Sequence, residues 1–236
     1  YKALVPYYIA EIYLIKKNYD KAEIVAQNYL SAYPNNEYTA EMYRVLGDAD
    51  YHFGKYHEAM GAFEKYLANN KEEAPRRDAL YMLGLSYYHS GVYTKAANTL
   101  GEVVTGNDAL SQNAYLHMGL SYLQMGDKNK ARMAFEQASA SNANMQIKEQ
   151  AAYNYALCIH ETSYSAFGES VTVFEKFLNE FPNSQYVDKV SSYLVEVYMN
   201  TRSYEAALKS IERITHPGAA ILELSLIHIS EPTRRS

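Results

Sequence analysis

The sequence predicts an all-α fold, a right-handed α-solenoid of about six antiparallel helix pairs. Three observations carry that expectation. A small residue returns at Ala22, Ala59, Ala96, Ala131, Ser170 and Ala207, at gaps of 37, 37, 35, 39 and 37 residues. Three positions before it stands a ring (Tyr19, Tyr56, Tyr93, Phe167, Tyr204), with Lys128 the exception. Glycines keep the same step, as Gly47/Gly84/Gly119 and as Gly54/Gly91/Gly126. A fixed period of this size marks stacked supersecondary units that share a continuous core.

The pairs can be justified in order. The first, residues 3–36, reads as helical from Val5, holds Ala10 and Tyr13 before the break and Tyr19 and Ala22 after it, and ends at Pro34. The second, 40–73, carries Tyr43-x2-Leu46-Gly47 and then Ala59-x3-Phe63. In the third, 77–108, two helical stretches, Arg77–Ser90 and Tyr93–Val104, are broken by Ser90-Gly91-Val92. Leu80, Leu83, Gly84 and Tyr87 fall on one face at i, i+3, i+4 and i+7. Gly84 lets the partner helix approach closely, and Gly91 suits the left-handed residue that ends a helix. The fourth pair spans 112–145. The fifth, 149–183, keeps Ala156, Phe174, Phe177 and Pro182, with an inter-helix loop from Glu161 to Gly168 expected to be two residues longer. The sixth, 188–217, keeps Tyr198, Tyr204 and Ala207.

The fourth pair carries a resemblance. Tyr115-x2-Met118-Gly119-x2-Tyr122 followed by Ala131-x3-Phe135 resembles the tetratricopeptide-repeat pattern residue for residue, with Tyr for the usual Trp and Met for the usual Leu. The resemblance extends over about residues 3–217. The spacing departs from it, nearer 37 than 34, and the extra residues are expected between the second helix of one pair and the first of the next, as in Ala68-Asn69-Asn70-Lys71. The phrases Tyr33-Pro34-Asn35-Asn36-Glu37-Tyr38 and Phe181-Pro182-Asn183-Ser184-Gln185-Tyr186 are similar to repeats of bacterial envelope proteins, including the outer-membrane assembly lipoprotein and the periplasmic coordinator of the Tol–Pal system. The Tyr- and Asn-rich character is similar to long tetratricopeptide proteins of Bacteroidetes. The resemblance thus implies periplasmic or outer-membrane association rather than a cytoplasmic location.

Composition excludes several functions. A formal net charge of −5 gives no electrostatic case for nucleic acid. No run of 18 apolar residues exists to span a membrane. Cys158 is the only cysteine, so no intramolecular disulfide forms; inside a helix beside Leu157 and Ile159 it reads as a small buried hydrophobe. The 25 tyrosines, set against no tryptophan, stand mostly at framework positions and are expected in the core. The chain opens on Tyr1 and is already helical by Val5, so it is expected to be a fragment or a processed product. Residues 218–223 would begin a truncated further segment. Residues 224–236 read as a non-native tail, because Leu224–Arg234 resembles in all eleven residues the translation of a transposase-based sequencing adapter.

Function is expected on the first helix of each pair, which lines the concave face in tetratricopeptide arrays. Repeat position places Arg44, Asp48, Tyr51 and His52 there, then Tyr81, Leu85, Tyr88 and His89, then Leu116, His117, Leu120 and Leu123, and then Tyr153, Leu157 and His160. Of these, Tyr51, Tyr81, Leu85, Tyr88, Leu116, Leu120, Leu123, Tyr153 and Leu157 are the candidate partner-binding residues. The family's clamp for a chaperone-tail carboxylate is not expected, because its asparagine positions hold Asp48, Leu85, Leu120 and Leu157. Two readings stay open: these side chains receive apolar groups of a protein or peptide partner, or they pack on one another across neighbouring helices. The histidines are expected to be solvated groups near helix C-termini rather than ligands, since no His-x3-His or Cys pair occurs. No catalytic motif is present, and Glu11, Asp48 and Asp50 read as ordinary solvated or inter-helix polar groups. The expectation is a non-catalytic scaffold with no cofactor and no metal. The alternatives are a cytoplasmic regulatory array relaying binding to a domain elsewhere, and self-association through uncapped ends.

Overall fold

The computed structural model describes residues 2–70, 73–162 and 166–216; the expectations for residues 218–236 lie outside them. Twelve α-helices and no strands occur among the described residues. They are α1 (Leu4–Ile15), α2 (Tyr19–Ala32), α3 (Thr39–His52), α4 (Tyr56–Asn69), α5 (Glu73–His89), α6 (Tyr93–Val103), α7 (Ala109–Gln124), α8 (Lys128–Ala140), α9 (Met145–Thr162), α10 (Ala166–Glu180), α11 (Val187–Asn200) and α12 (Tyr204–Ile211). The chain divides into two compact units, one up to Ala134 and one from Phe135 onward.

The periodic residues explain the pairing. Tyr19, Tyr56, Lys128 and Tyr204 are the first residues of α2, α4, α8 and α12. The small residue three places on is fully buried in Ala22, Ala59, Ala96, Ala131 and Ser170, and nearly so in Ala207. The glycines act from the opposite helix. A Cβ on Gly47 would meet the Phe63 ring at 2.9 Å, and one on Gly84 would stand 2.6 Å from Leu100 Cγ. Side chains there would overpack the pair.

The turn within a pair is a repeated device. Gly54, Gly91 and Gly126 hold φ of +70°, +76° and +75°, and Lys17 and Arg202 take the same place at +56° and +57°. At each, two successive amides donate to carbonyls of the preceding helix. Gly54 N donates to Tyr51 O at 3.0 Å and Lys55 N to Asp50 O at 2.9 Å, and the same pattern recurs at Lys17/Asn18, Gly91/Val92, Gly126/Asp127 and Arg202/Ser203. This pair of hydrogen bonds closes the helix C-terminus around a left-handed residue.

Three boundaries differ from the sequence reading. α5 starts at Glu73 rather than Arg77, because Pro75 falls in the first turn, where no intrahelical amide bond is required. Ala68 and Asn69 belong to α4 rather than to a connection. α9 runs to Thr162 and α10 starts at Ala166, so the extra length assigned to the Glu161–Gly168 loop lies mainly in an 18-residue helix. At these places the added residues lengthen helices, whereas the connections 33–38, 104–108 and 181–186 between pairs run to five or six residues.

Within the first unit the core runs in successive layers. Ala10, Ala22, Ala26, Tyr29, Met42 and Val45 join α1, α2 and α3. Ala59, Phe63, Tyr66, Ala79, Leu83 and Ala96 continue through α4, α5 and α6, and Leu80, Leu100, Val103 and Ala114 reach α7. In the second unit Tyr153, Ala156, Phe174, Phe177, Val190 and Leu194 join α9, α10 and α11. Cys158 is buried, as expected.

Candidate protein-binding face

The candidate residues divide by exposure. In the first unit Tyr51, Tyr81, Tyr88, Leu120 and Leu123 are half-buried, whereas Leu85 and Leu116 are buried. In the second unit Leu157 is half-buried, and Tyr153 is buried and stacked on Tyr186 at 4.0 Å and 7° between ring planes. Leu85, Leu116 and Tyr153 are therefore already packed, and the remaining six retain open surface.

Tyr51, Tyr81 and Tyr88 sit on the adjacent helices α3 and α5. Their hydroxyls accept and donate no hydrogen bond among the described residues. Burial pushes the Tyr81 phenol well above the usual tyrosine range, and the nearby Tyr51 phenol adds to this; burial also raises Tyr51 and Tyr88. These phenols are neutral at physiological pH. Each offers an apolar ring with a spare polar tip, which suits contact with a protein surface.

Next to them lies a charged group that the sequence reading treated as ordinary polar residues. Arg44 bonds Glu11 of α1, Glu41 at 2.8 Å and Asp48 at 3.2 Å. Burial pushes Asp48 up to about 6 despite the opposing pull of Arg44, with Glu11 and Asp78 adding to the rise. One guanidinium thus holds three carboxylates and ties α1 to α3. Tyr7 and Tyr38 stack beside it at 4.7 Å and 14°.

His52 and His89 are exposed in the last turns of α3 and α5, as expected, and each also packs on a ring. His52 stacks on Tyr19, with centroids 3.6 Å apart, and His89 stacks on Tyr56 at 4.5 Å. Each joins the end of one pair's first helix to the start of the preceding pair's second. His117 receives the Tyr88 ring edge-on at 5.5 Å and places Nδ1 3.0 Å from the Asn113 carbonyl. Burial lowers the pKa of both His89 and His117. In the second unit His160 lies 3.3 Å from Ser170 Oγ and against Phe174 and Tyr193. This ring ladder escaped sequence reasoning, although His52 and His89 share a repeat position and each follows its tyrosine by 33 residues. Among the described residues, no three His, Cys, Asp or Glu side chains gather as metal ligands, and no helix is long and apolar enough to cross a membrane.

Comparison with known proteins agrees with this architecture. The family model described as anaphase-promoting complex, cyclosome, subunit 3 matches residues 52–138. No curated protein matches the chain significantly. Among solved structures, a tetratricopeptide repeat protein from Parabacteroides merdae is 18% identical with a TM-score of 0.61, over 96% of this chain and 87% of that one. YrrB, described as a tetratricopeptide-repeat protein with an unusual peptide-binding site, is 19% identical with a TM-score of 0.63, over 77% and 87%. PilF of Pseudomonas aeruginosa is 17% identical with a TM-score of 0.60, over 97% of both chains. At these identities the likeness is one of fold: an all-α solenoid of tetratricopeptide-type repeats.

Proposed function

We propose that this chain, with its tetratricopeptide-repeat fold, is a non-catalytic scaffold that binds a peptide segment of a protein partner. The observation that carries the reading is the set of half-buried Tyr51, Tyr81 and Tyr88, whose hydroxyls have no partner among the described residues. Inter-helix packing takes part of the Tyr51 and Tyr88 rings, against His89 and His117, and leaves the rest of their surface open. Leu120 and Leu123 extend this face toward aliphatic character on α7, and Arg44 with its carboxylates gives the α1–α3 end a polar border. An extended or helical segment with apolar anchors fits such a surface, because rigid rings bury much area at small entropic cost. The aromatic-Pro-Asn phrases at 33–38 and 181–186 support an envelope-associated role in a bacterium.

The test is panning of a random peptide library against the chain, followed by calorimetric titration of a selected peptide. Leu120→Asp is expected to weaken that peptide at least tenfold, about 1.4 kcal/mol, with helicity unchanged by circular dichroism. Unchanged affinity in both Leu120→Asp and Tyr81→Ala places the peptide elsewhere and ends the reading.

A further inference from the structure

A cleft of about 490 Å³ opens on the side of α3 away from the tyrosine face, between α2 and α4. Tyr43, Leu46 and Asp50 of α3 line it. At 100° per residue they lie opposite Arg44, Asp48 and Tyr51. Glu23 stands on the α2 wall, and Glu58, Gly61 and Ala62 stand on the α4 wall. Helices of two successive pairs thus frame the cleft on both sides.

Its charges do not balance as they do elsewhere in the stack. In the first, third and fourth pairs the third residue of the second helix is a lysine (Lys21, Lys95, Lys130) whose ammonium covers a tyrosine of the first helix. In the second pair those two positions hold Glu58 and Asp50. Where the others carry a cation, this one carries two acids. The Asp50 side chain is only 6% exposed, and its carboxylate makes no hydrogen bond among the described residues. Lys55 stays 3.8 Å from it and is bonded to Glu23 at 2.7 Å. Glu58 is exposed and has no hydrogen bond or ion pair among the described residues. The other cation of the cleft, Lys65, lies over the Tyr43 ring at 4.9 Å. A buried carboxylate left in this condition is costly until a cation meets it.

Gly61 narrows the choice of occupant. It lies inside α4, where glycine weakens a helix, yet a Cβ there would meet no atom within 4 Å. Packing within the chain does not call for it. Its missing side chain keeps the cleft open and admits a foreign backbone at close range. Among the described residues no three acids gather tightly enough to hold a metal ion. A guanidinium, planar and with five donors, reaches separated acceptors that a point charge cannot touch together. Three other pairs fill the corresponding place with a basic side chain of their own, so the matching occupant is a basic side chain of another protein. We propose that the α2–α4 cleft is a second docking site, independent of the tyrosine face, that takes an arginine of a partner protein. The guanidinium meets Asp50 and Glu58, and the stem lies along Leu46 and Ala62.

Titration of the isotope-labelled chain with acetyl-Ala-Ala-Arg-Ala-Ala-amide, followed by amide chemical shifts, tests this. Saturable shifts are expected in α2, α3 and α4. Citrulline in place of arginine keeps the shape without the charge and should abolish them, and lysine should bind about tenfold more weakly. Asp50→Asn and Glu58→Gln should each weaken the arginine peptide about tenfold, and Gly61→Leu should block it, with circular dichroism unchanged in all three. Agmatine, a free guanidinium on a similar stem, should bind more weakly than the peptide. No saturable shift, shifts confined to the tyrosine face, or equal binding of the citrulline peptide overturns the proposal. So does affinity that is unchanged in both Asp50→Asn and Gly61→Leu. Agmatine binding as tightly as the peptide overturns the assignment to a partner protein and makes a free guanidinium the ligand.

Discussion

Lys17 and Arg202 stand where three other turns have glycine, and they adopt the same left-handed backbone at φ +56° and +57°. A Cβ in that region crowds the following carbonyl, at a cost of about 1–2 kcal/mol that glycine escapes. The turn is nevertheless kept, because its two amides close the helix end through bonds of 2.9 and 2.8 Å in the first pair. Lys17→Gly and Arg202→Gly should therefore each raise stability by about 0.5–1 kcal/mol, read as a higher urea midpoint. Gly91→Ala should lower it by a similar amount. Stabilisation by Gly91→Ala would show that the turn relaxes out of the left-handed region. The sequence made Gly54, Gly91 and Gly126 legible as turns, but it carries no local sign that a lysine or an arginine must do the same work.

At the scale of elements, the second pair breaks a pattern that the first, third and fourth keep. The end of the first helix and the start of the second are joined by a lysine over a tyrosine ring: Lys21 over Tyr13 at 5.5 Å, Lys95 over Tyr87 at 5.2 Å and Lys130 over Tyr122 at 5.6 Å. The corresponding residues in the second pair are Asp50 and Glu58. Asp50 is only 4% exposed, and its nearest cation, Lys55, stands 3.8 Å away and is itself bonded to Glu23 at 2.7 Å. Burial, and then the Glu23 carboxylate, push the Asp50 acid up to about 6. A folded-state value raised above the ordinary 3.8 means that the folded chain binds this proton more tightly than the unfolded chain. The resulting stability is fully present below pH ~4 and is lost as pH rises through about 6. Asp50→Asn removes the charge without removing the shape. Its denaturation midpoint should exceed that of the parent at pH 7 and lose most of that advantage at pH 4. An equal difference at both pH values would assign the effect to packing rather than to ionisation.

On the scale of the whole molecule, the helix pairs were legible because period, small residue and ring all register one translation, repeated along the chain. The binding face was legible only in part. Solvent-facing and inter-helix positions of a first helix recur at the same interval, so no periodicity separates half-buried Tyr81 from buried Leu116 or Tyr153. Only the size of the opposing side chains decides that, as when Tyr186 covers Tyr153. The same translation governs cooperativity. In a stack, each pair is stabilised by itself and by its nearest neighbours, so damage should spread no further than adjoining pairs. Phe174 offers the test within the second unit. It is fully buried and stacks on Tyr193 at 5.6 Å and 8°. Phe174→Ala should cost about 3–5 kcal/mol locally. Amide hydrogen exchange should then rise across α9, α10 and α11 and stay at parental rates in α2 through α5, which belong to the first unit. Uniform acceleration along the chain would mean that all the pairs unfold as one cooperative block, and that the energetics are not those of a nearest-neighbour stack.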